Sequence, residues 1–320
     1  MSRRLLVLGY VLALLALAFF VRQLWYERHT LQIILTSDNT LLGAFLLSSV
    51  LFATIYPLTA WASSSILCDL GFRVRSSILI AVLCVSQLAR YIPGNIGQHI
   101  ARGGMLAARG VAMTAVVTAL GYEAVLAFVA ASSIAAVSLL WNSGLAIGNP
   151  VGVIAVVGAL ALAAVFGLPL LAERLPARWP LRRSLAALRE ISRPTLLLCL
   201  LIYLVNCWLV GLGLALIAWS LPNVAYVSLL QYVGAFAVAW TAGFLVPGLP
   251  AGLGVRESIL IVLLAPTLGM APSLAIAALH RLSTTVADLI AAMIGFLLIW
   301  QERRVASRKP TAVKGNLDET

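Results

Sequence analysis

The chain has 320 residues, 62% of them hydrophobic and only 10% charged, with a mean hydropathy of +1.03. A soluble domain carries about a quarter charged residues, so this composition excludes a soluble fold and predicts an all-α polytopic membrane protein. The apolar runs are continuous rather than alternating, which excludes a transmembrane barrel. Most of the arginines behind the formal charge of +11 lie in short loops beside those runs, where the positive-inside rule accounts for them without nucleic acid.

The first apolar run covers 5–25, after Arg3 and Arg4. Hydrophobicity continues past Ala16-Leu17-Ala18, which resembles a signal cleavage site, so the run reads as an uncleaved first span. Further runs long enough to cross a hydrocarbon core lie at 41–66, 113–141, 150–172, 195–220 and 273–300. Two interrupted regions remain, 77–108 and 225–268. The pieces on either side of the first interruption are too short for a straight crossing. The expected architecture is about six full transmembrane helices plus two re-entrant helical hairpins, or eight helical elements if each hairpin counts as a span. Within the second hairpin, 225–246 is long enough to cross alone.

Loop charges orient these elements. Arg3 and Arg4 place the N-terminus in the cytoplasm, and Arg73, Arg75 and Arg109 put both ends of the first hairpin there. The uncharged segments 142–149 and 220–224 face out, so the second hairpin enters from the opposite side. The segment 173–193, with six arginines against two glutamates, and the tail with Arg303, Arg304, Arg308 and Lys309 face in. Only the first outer loop departs from the rule, its Arg22 and Arg28 being offset by Glu27 and Asp38. Residues 1–302 therefore form one transmembrane domain with an inverted repeat of units 41–141 and 195–300, followed by a polar tail at 303–320. In the 173–193 segment, Leu181, Leu185 and Leu188 share a helical face opposite arginines, as in a basic amphipathic helix on an anionic leaflet or a plain topology anchor.

The interruptions carry a repeated pattern. Pro93-Gly94 is followed, after seven intervening residues, by Arg102; Pro247-Gly248 is followed by Arg256 at the same distance, 154 residues on. Pro removes a backbone donor and Gly relaxes the backbone, so each pair breaks a helix and the next one restarts with unpaired N–H groups. Such an end attracts anions. Broken helices at matching positions of two halves are the sequence sign of a midplane site.

Charged groups cluster around these breaks although each costs roughly 2.5–3.5 kcal/mol near the bilayer centre. Arg90, Arg102, Arg256 and Glu257 lie at the interruptions, and Glu123, His280, Arg281 and Asp288 lie on the spans that follow. Cations outnumber acids, so the expected ligand is an anion, most simply a lipid phosphate, which arginine grips bidentately. The candidate headgroup ligands are Arg90, Asn95, Gln98, Arg102, Arg256 and Arg281. The candidate break residues are Pro93, Gly94, Gly97, Pro247, Gly248, Gly252 and Gly254, with close helix packing as the alternative role for the glycines. Glu123, Glu257, His280 and Asp288 are candidates for coupling or for pairing with the arginines. Arg281, Thr284, Thr285 and Asp288 share one helical face, so Arg281 and Asp288 are equally well read as a mutual pair that locks helices together.

No metal or cofactor is expected. The histidines (His29, His99, His280) do not cluster, and the four cysteines lack ligand spacing and read as small buried residues. Nucleophile-elbow, zinc-protease and Walker patterns are absent from the sequence.

The run Arg90-Tyr91-Ile92-Pro93-Gly94-Asn95-Ile96-Gly97, with Arg102 and Gly110 downstream, and the run Pro247-Gly248-Leu249-Pro250-Ala251-Gly252-Leu253-Gly254-Val255-Arg256-Glu257 resemble the lysylphosphatidylglycerol synthase transmembrane family, whose members are also called flippase-like domains. The resemblance covers essentially the whole chain. In the second run, Leu249, Pro250 and Ala251 depart from the shorter glycine-rich turn of the family. The resemblance implies lipid translocation; with the sequence ending at Thr320, the aminoacyl-transferase half is not expected. The expectation is a flippase-like transporter of an anionic phospholipid or polyprenyl-phosphate-linked glycolipid, in a bacterial or archaeal cytoplasmic membrane with both termini inside. Its partners would be membrane lipids and lipid- or glycan-modifying enzymes. The alternatives are an embedded transferase using Glu257 as base, and a scaffold docked through 173–193.

Overall fold

The computed structural model describes residues 39–91, 97–142, 157–161, 163, 191–222, 224–245 and 254–308. Among these residues every regular element is a helix. The expected span at 5–25, most of the one at 150–172, the basic segment up to residue 190, both Pro-Gly dipeptides with Asn95 and Gly252, and the tail beyond 308 lie outside the described residues.

Among the described residues, four helices are long and apolar enough to cross a membrane: α1 (Asn39–Asp69), α4 (Met113–Asn142), α5 (Arg193–Trp219) and α8 (Met270–Arg308). They occupy the expected positions. The last runs to Arg308 rather than stopping near Trp300, because Gln301–Arg308 holds no Pro or Gly and is rich in helix-favouring Arg and Glu. Local chemistry sets other boundaries. Ser192 caps α5, its hydroxyl accepting from the Thr195 amide, with Pro194 in the first turn where its missing donor is harmless. Gly110 and Gly269, with φ of 85° and 86°, make the turns into α4 and α8, in a region where a side chain is strained.

The interrupted regions are helix pairs. The first comprises α2 (Ser76–Ser86), extended by a 3-10 turn over Gln87–Tyr91, and α3 (Gly97–Ala107); the second comprises α6 (Leu229–Leu245) and α7 (Val255–Leu268). All four arms fall short of the roughly 20 residues that a crossing needs.

Packing is reciprocal. α1 lies along α5, α2 packs on α8, and α6 packs on α4, so the first arm of each interrupted pair meets the long helix that follows the other pair. One apolar core gathers residues of α1, α2, α4 and the start of α5; a second gathers the end of α5 with α6, α7 and the start of α8. Glycines allow the closest approaches. A Cβ on Gly211 would meet the Val233 backbone at 2.6 Å, and one on Gly213 would meet the Ser48 hydroxyl at 2.6 Å. Close packing is thus the role of these α5 glycines, whereas Gly254 has open space around it and a φ of 85°, so it serves the backbone turn. Between the two cores, a cavity opens among the broken helices.

Candidate functional site

The cavity has a volume of about 280 Å³ and is bordered by residues of α1 to α8. Phe52, Leu120, Val210, Phe236 and Trp240 supply apolar wall, while Gln87, Gln98, Asn206 and Thr284 supply neutral polar groups. Arg90, Arg102, Arg256 and Arg281 all border it, with Glu123, Glu257 and His280. The structure therefore brings together every expected charged group except Asp288, which stands just behind Arg90. Gln98 points its amide to the His99 ring at 3.2 Å, and Gly97 opens α3. Asn95, Pro93, Gly94, Pro247, Gly248 and Gly252 lie outside the described residues.

The arginines differ sharply in their partners. Arg102, on α3, lies against Glu123 of α4 in a bidentate pair: Nη1 to Oε2 and Nη2 to Oε1, both 2.6 Å. Its Nη2 also donates to the Ser63 hydroxyl on α1, tying three helices at one buried point. Arg90, at the end of the 3-10 turn, meets Asp288 of α8 at 3.1 Å. Asp288 is wholly buried and also accepts from the hydroxyls of Tyr91, at 2.6 Å, and Tyr56. A carboxylate in hydrocarbon needs such donors to offset its lost hydration.

Arg281 faces Glu257 across α8 and α7, Nε to Oε1 at 3.6 Å. Both carboxylates thus meet an arginine of another element, Asp288 of α8 with Arg90 and Glu257 of α7 with Arg281. Glu257 also accepts from the Gly254 amide at 2.8 Å, capping the restarted helix. The expected transferase base is thus already engaged twice.

Arg256 stands apart. Among the described residues it has no carboxylate partner and its buried Nε no hydrogen-bond partner; its guanidinium lies 5.9 Å from the centroid of Trp240. Its stem passes Gly243 so closely that a Cβ there would meet Cγ and Nε at 2.8 Å. Trp240 is in turn stacked on Phe244, with centroids 5.3 Å apart. Sequence reasoning missed Tyr56, Tyr91, Ser63 and Trp240. Tyr91 was legible in principle, standing next to Arg90 at a break; the other three sit in apolar runs where nothing local distinguishes them.

Of the cysteines, Cys84, Cys199 and Cys207 are buried as expected, and Cys68 is exposed near the end of α1. No group of His, Cys, Asp and Glu suited to a metal occurs among the described residues.

Compared with known proteins, residues 6–292 match the family model described as lysylphosphatidylglycerol synthase TM region. No curated protein and no solved structure matches the chain.

Proposed function

The chain belongs to the lysylphosphatidylglycerol synthase transmembrane-region family, an integral membrane family with a lipid-related function, and from that premise we propose that it is a flippase-like transporter of an anionic lipid. The observation that carries this is the cavity itself. Four arginines converge on it, three from the two broken helix pairs and Arg281 from α8, in a chain otherwise poor in charge. A site for a permanent structural ion pair needs equal charges; this one has a cation to spare.

The reciprocal packing of α2 on α8 and α6 on α4 supports the inverted repeat. In that arrangement the two short-armed pairs are re-entrant hairpins entering from opposite faces, and rocking of one unit against the other exposes the cavity to each side in turn. The headgroup occupies the cavity while the acyl or prenyl chains stay in lipid. Arg256 contacts the phosphate, and the helix restarts after the breaks contribute backbone N–H groups. Membrane lipids are the partners, the host membrane is a bacterial or archaeal cytoplasmic membrane, and no catalytic step is needed.

The test is lipid transfer by the purified protein in proteoliposomes, read by quenching of a fluorescent anionic phospholipid from one leaflet. Arg256→Ala should lower the initial transfer rate at least about tenfold, the loss expected when one charge-assisted contact is removed. A rate equal to the parent protein's, with an unchanged melting temperature, would sink the proposal.

A further inference from the structure

The charges around the cavity sort into pairs with one left over. Among the described residues bordering it or bonded to its arginines, there are four guanidiniums and three carboxylates. Glu123 lies with Arg102, Asp288 with Arg90, and Glu257 with Arg281. Arg256 is the remainder. Neither break adds an ionisable side chain, since 92–96 reads Ile-Pro-Gly-Asn-Ile and 246–253 reads Val-Pro-Gly-Leu-Pro-Ala-Gly-Leu.

The two units also differ at one telling place. Glu123 lies ten residues beyond the first residue of α4, and His280 lies ten residues beyond the first residue of α8. In one unit the helix after the break supplies a carboxylate to the hairpin arginine. In the other, the residue at the same count from the start of the helix is an imidazole that borders the cavity together with Arg256. His280 is 6% exposed, its ring meets Phe236 edge-on at 5.8 Å, and its buried Nδ1 has no hydrogen-bond partner among the described residues. A buried ring nitrogen without a partner among the described residues, in one cavity with an unmatched guanidinium, is half of an anion site.

We infer that the Arg256–His280 corner binds one phosphodiester monoanion of a lipid headgroup, in the place that Glu123 fills at Arg102. This rests on the transport reading above and narrows its substrate. Arg256 meets the two non-bridging oxygens, and His280 donates from Nδ1 to one of them. A phosphomonoester dianion leaves one negative charge unmatched in a low-dielectric cavity. A zwitterionic headgroup brings an extra cation toward Arg90 and Arg281. Both are penalised by the same rule, that buried charge must be matched.

The experiment is equilibrium binding by calorimetry to the full chain in a non-ionic detergent, apart from any transfer assay. The probes are dihexanoyl phosphatidylglycerol, dihexanoyl phosphatidic acid, dihexanoyl phosphatidylcholine and dimethyl phosphate. Phosphatidylglycerol should bind about tenfold or more tighter than phosphatidic acid and phosphatidylcholine, one matched charge being worth about that factor. His280→Glu should place a carboxylate against Arg256, abolish binding and leave the melting temperature unchanged or higher. Arg256→Gln, which adds no volume, should lose the preference whatever the stability of His280→Glu.

Equal affinity for phosphatidylglycerol and phosphatidylcholine, tighter binding of phosphatidic acid, or full binding by a folded His280→Glu would each overturn the assignment. Dimethyl phosphate binding as tightly as the lipid would leave the phosphodiester site standing and overturn the lipid reading. Preferred binding of phosphatidylglycerol without any lipid transfer would overturn transport and leave the site standing.

Discussion

Arg102 and Arg256 follow the same motif, yet the structure assigns them opposite work. Arg102 is held through both terminal nitrogens by Glu123 and Ser63 on two other helices, so it holds α1, α3 and α4 together. Removing one member of a buried pair strands the other's charge, which typically costs about 3–5 kcal/mol, while replacing both with apolar residues is often nearly neutral. Glu123→Ala should therefore lower the melting temperature of the purified protein markedly, and the double change Arg102→Leu with Glu123→Leu should restore most of it. If the double variant is as unstable as the single one, the pair does more than lock helices. Asp288 is the more demanding case. Asp288→Asn keeps the volume but weakens acceptance from Tyr56, Tyr91 and Arg90 together, so it should destabilise more than Arg90→Gln does in the same thermal assay.

At the scale of elements, two glycines separate packing from positioning. A methyl group on Gly211 runs into the Val233 backbone, which cannot step aside without parting α5 from α6; overpacking of this kind typically costs about 1–3 kcal/mol. On Gly243 the same methyl group meets only the stem of Arg256, a flexible side chain that can move. Gly211→Ala should thus depress the melting temperature with little change in binding per folded molecule. Gly243→Ala should leave stability within about 1 kcal/mol and weaken phosphatidylglycerol binding by displacing the guanidinium from Trp240. Calorimetric binding and thermal unfolding of both variants check the contrast. The turns at Gly110 and Gly269 belong to this scale too, since each reverses the chain from a short arm into a long helix.

For the whole molecule, the proposed inverted repeat makes a sidedness prediction. The turn at 70–75 before α2 and the turn at 220–222 before α6 should lie on opposite faces of the membrane. Single cysteines at Arg73→Cys and Pro222→Cys, in a background where exposed Cys68 is Ser, should react with a membrane-impermeant maleimide from the cytoplasmic and the outer side respectively. Labelling of both from one side would rule out the inverted repeat and with it the rocking mechanism. The reciprocal packing of α2 on α8 and α6 on α4 is what such a mechanism would move, because those contacts join the two units around the cavity.

Composition and periodicity determined a good deal of this protein on their own. A chain with 10% charged residues must be covered by lipid, continuous apolar runs must be helices, and Pro-Gly must break them; the four long described helices lie where the runs predicted. The family was legible as well, because its motifs coincide with those breaks. Partner choice was not. Sequence spacing put Arg281 and Asp288 on one face, but a carboxylate pairs with whichever donor a neighbouring helix delivers at about 3 Å, and that depends on packing between residues up to two hundred positions apart. Only the tertiary structure therefore decided that Arg102 is paired with Glu123 and that Arg256, which borders the cavity with His280, is the cation there without a carboxylate among the described residues.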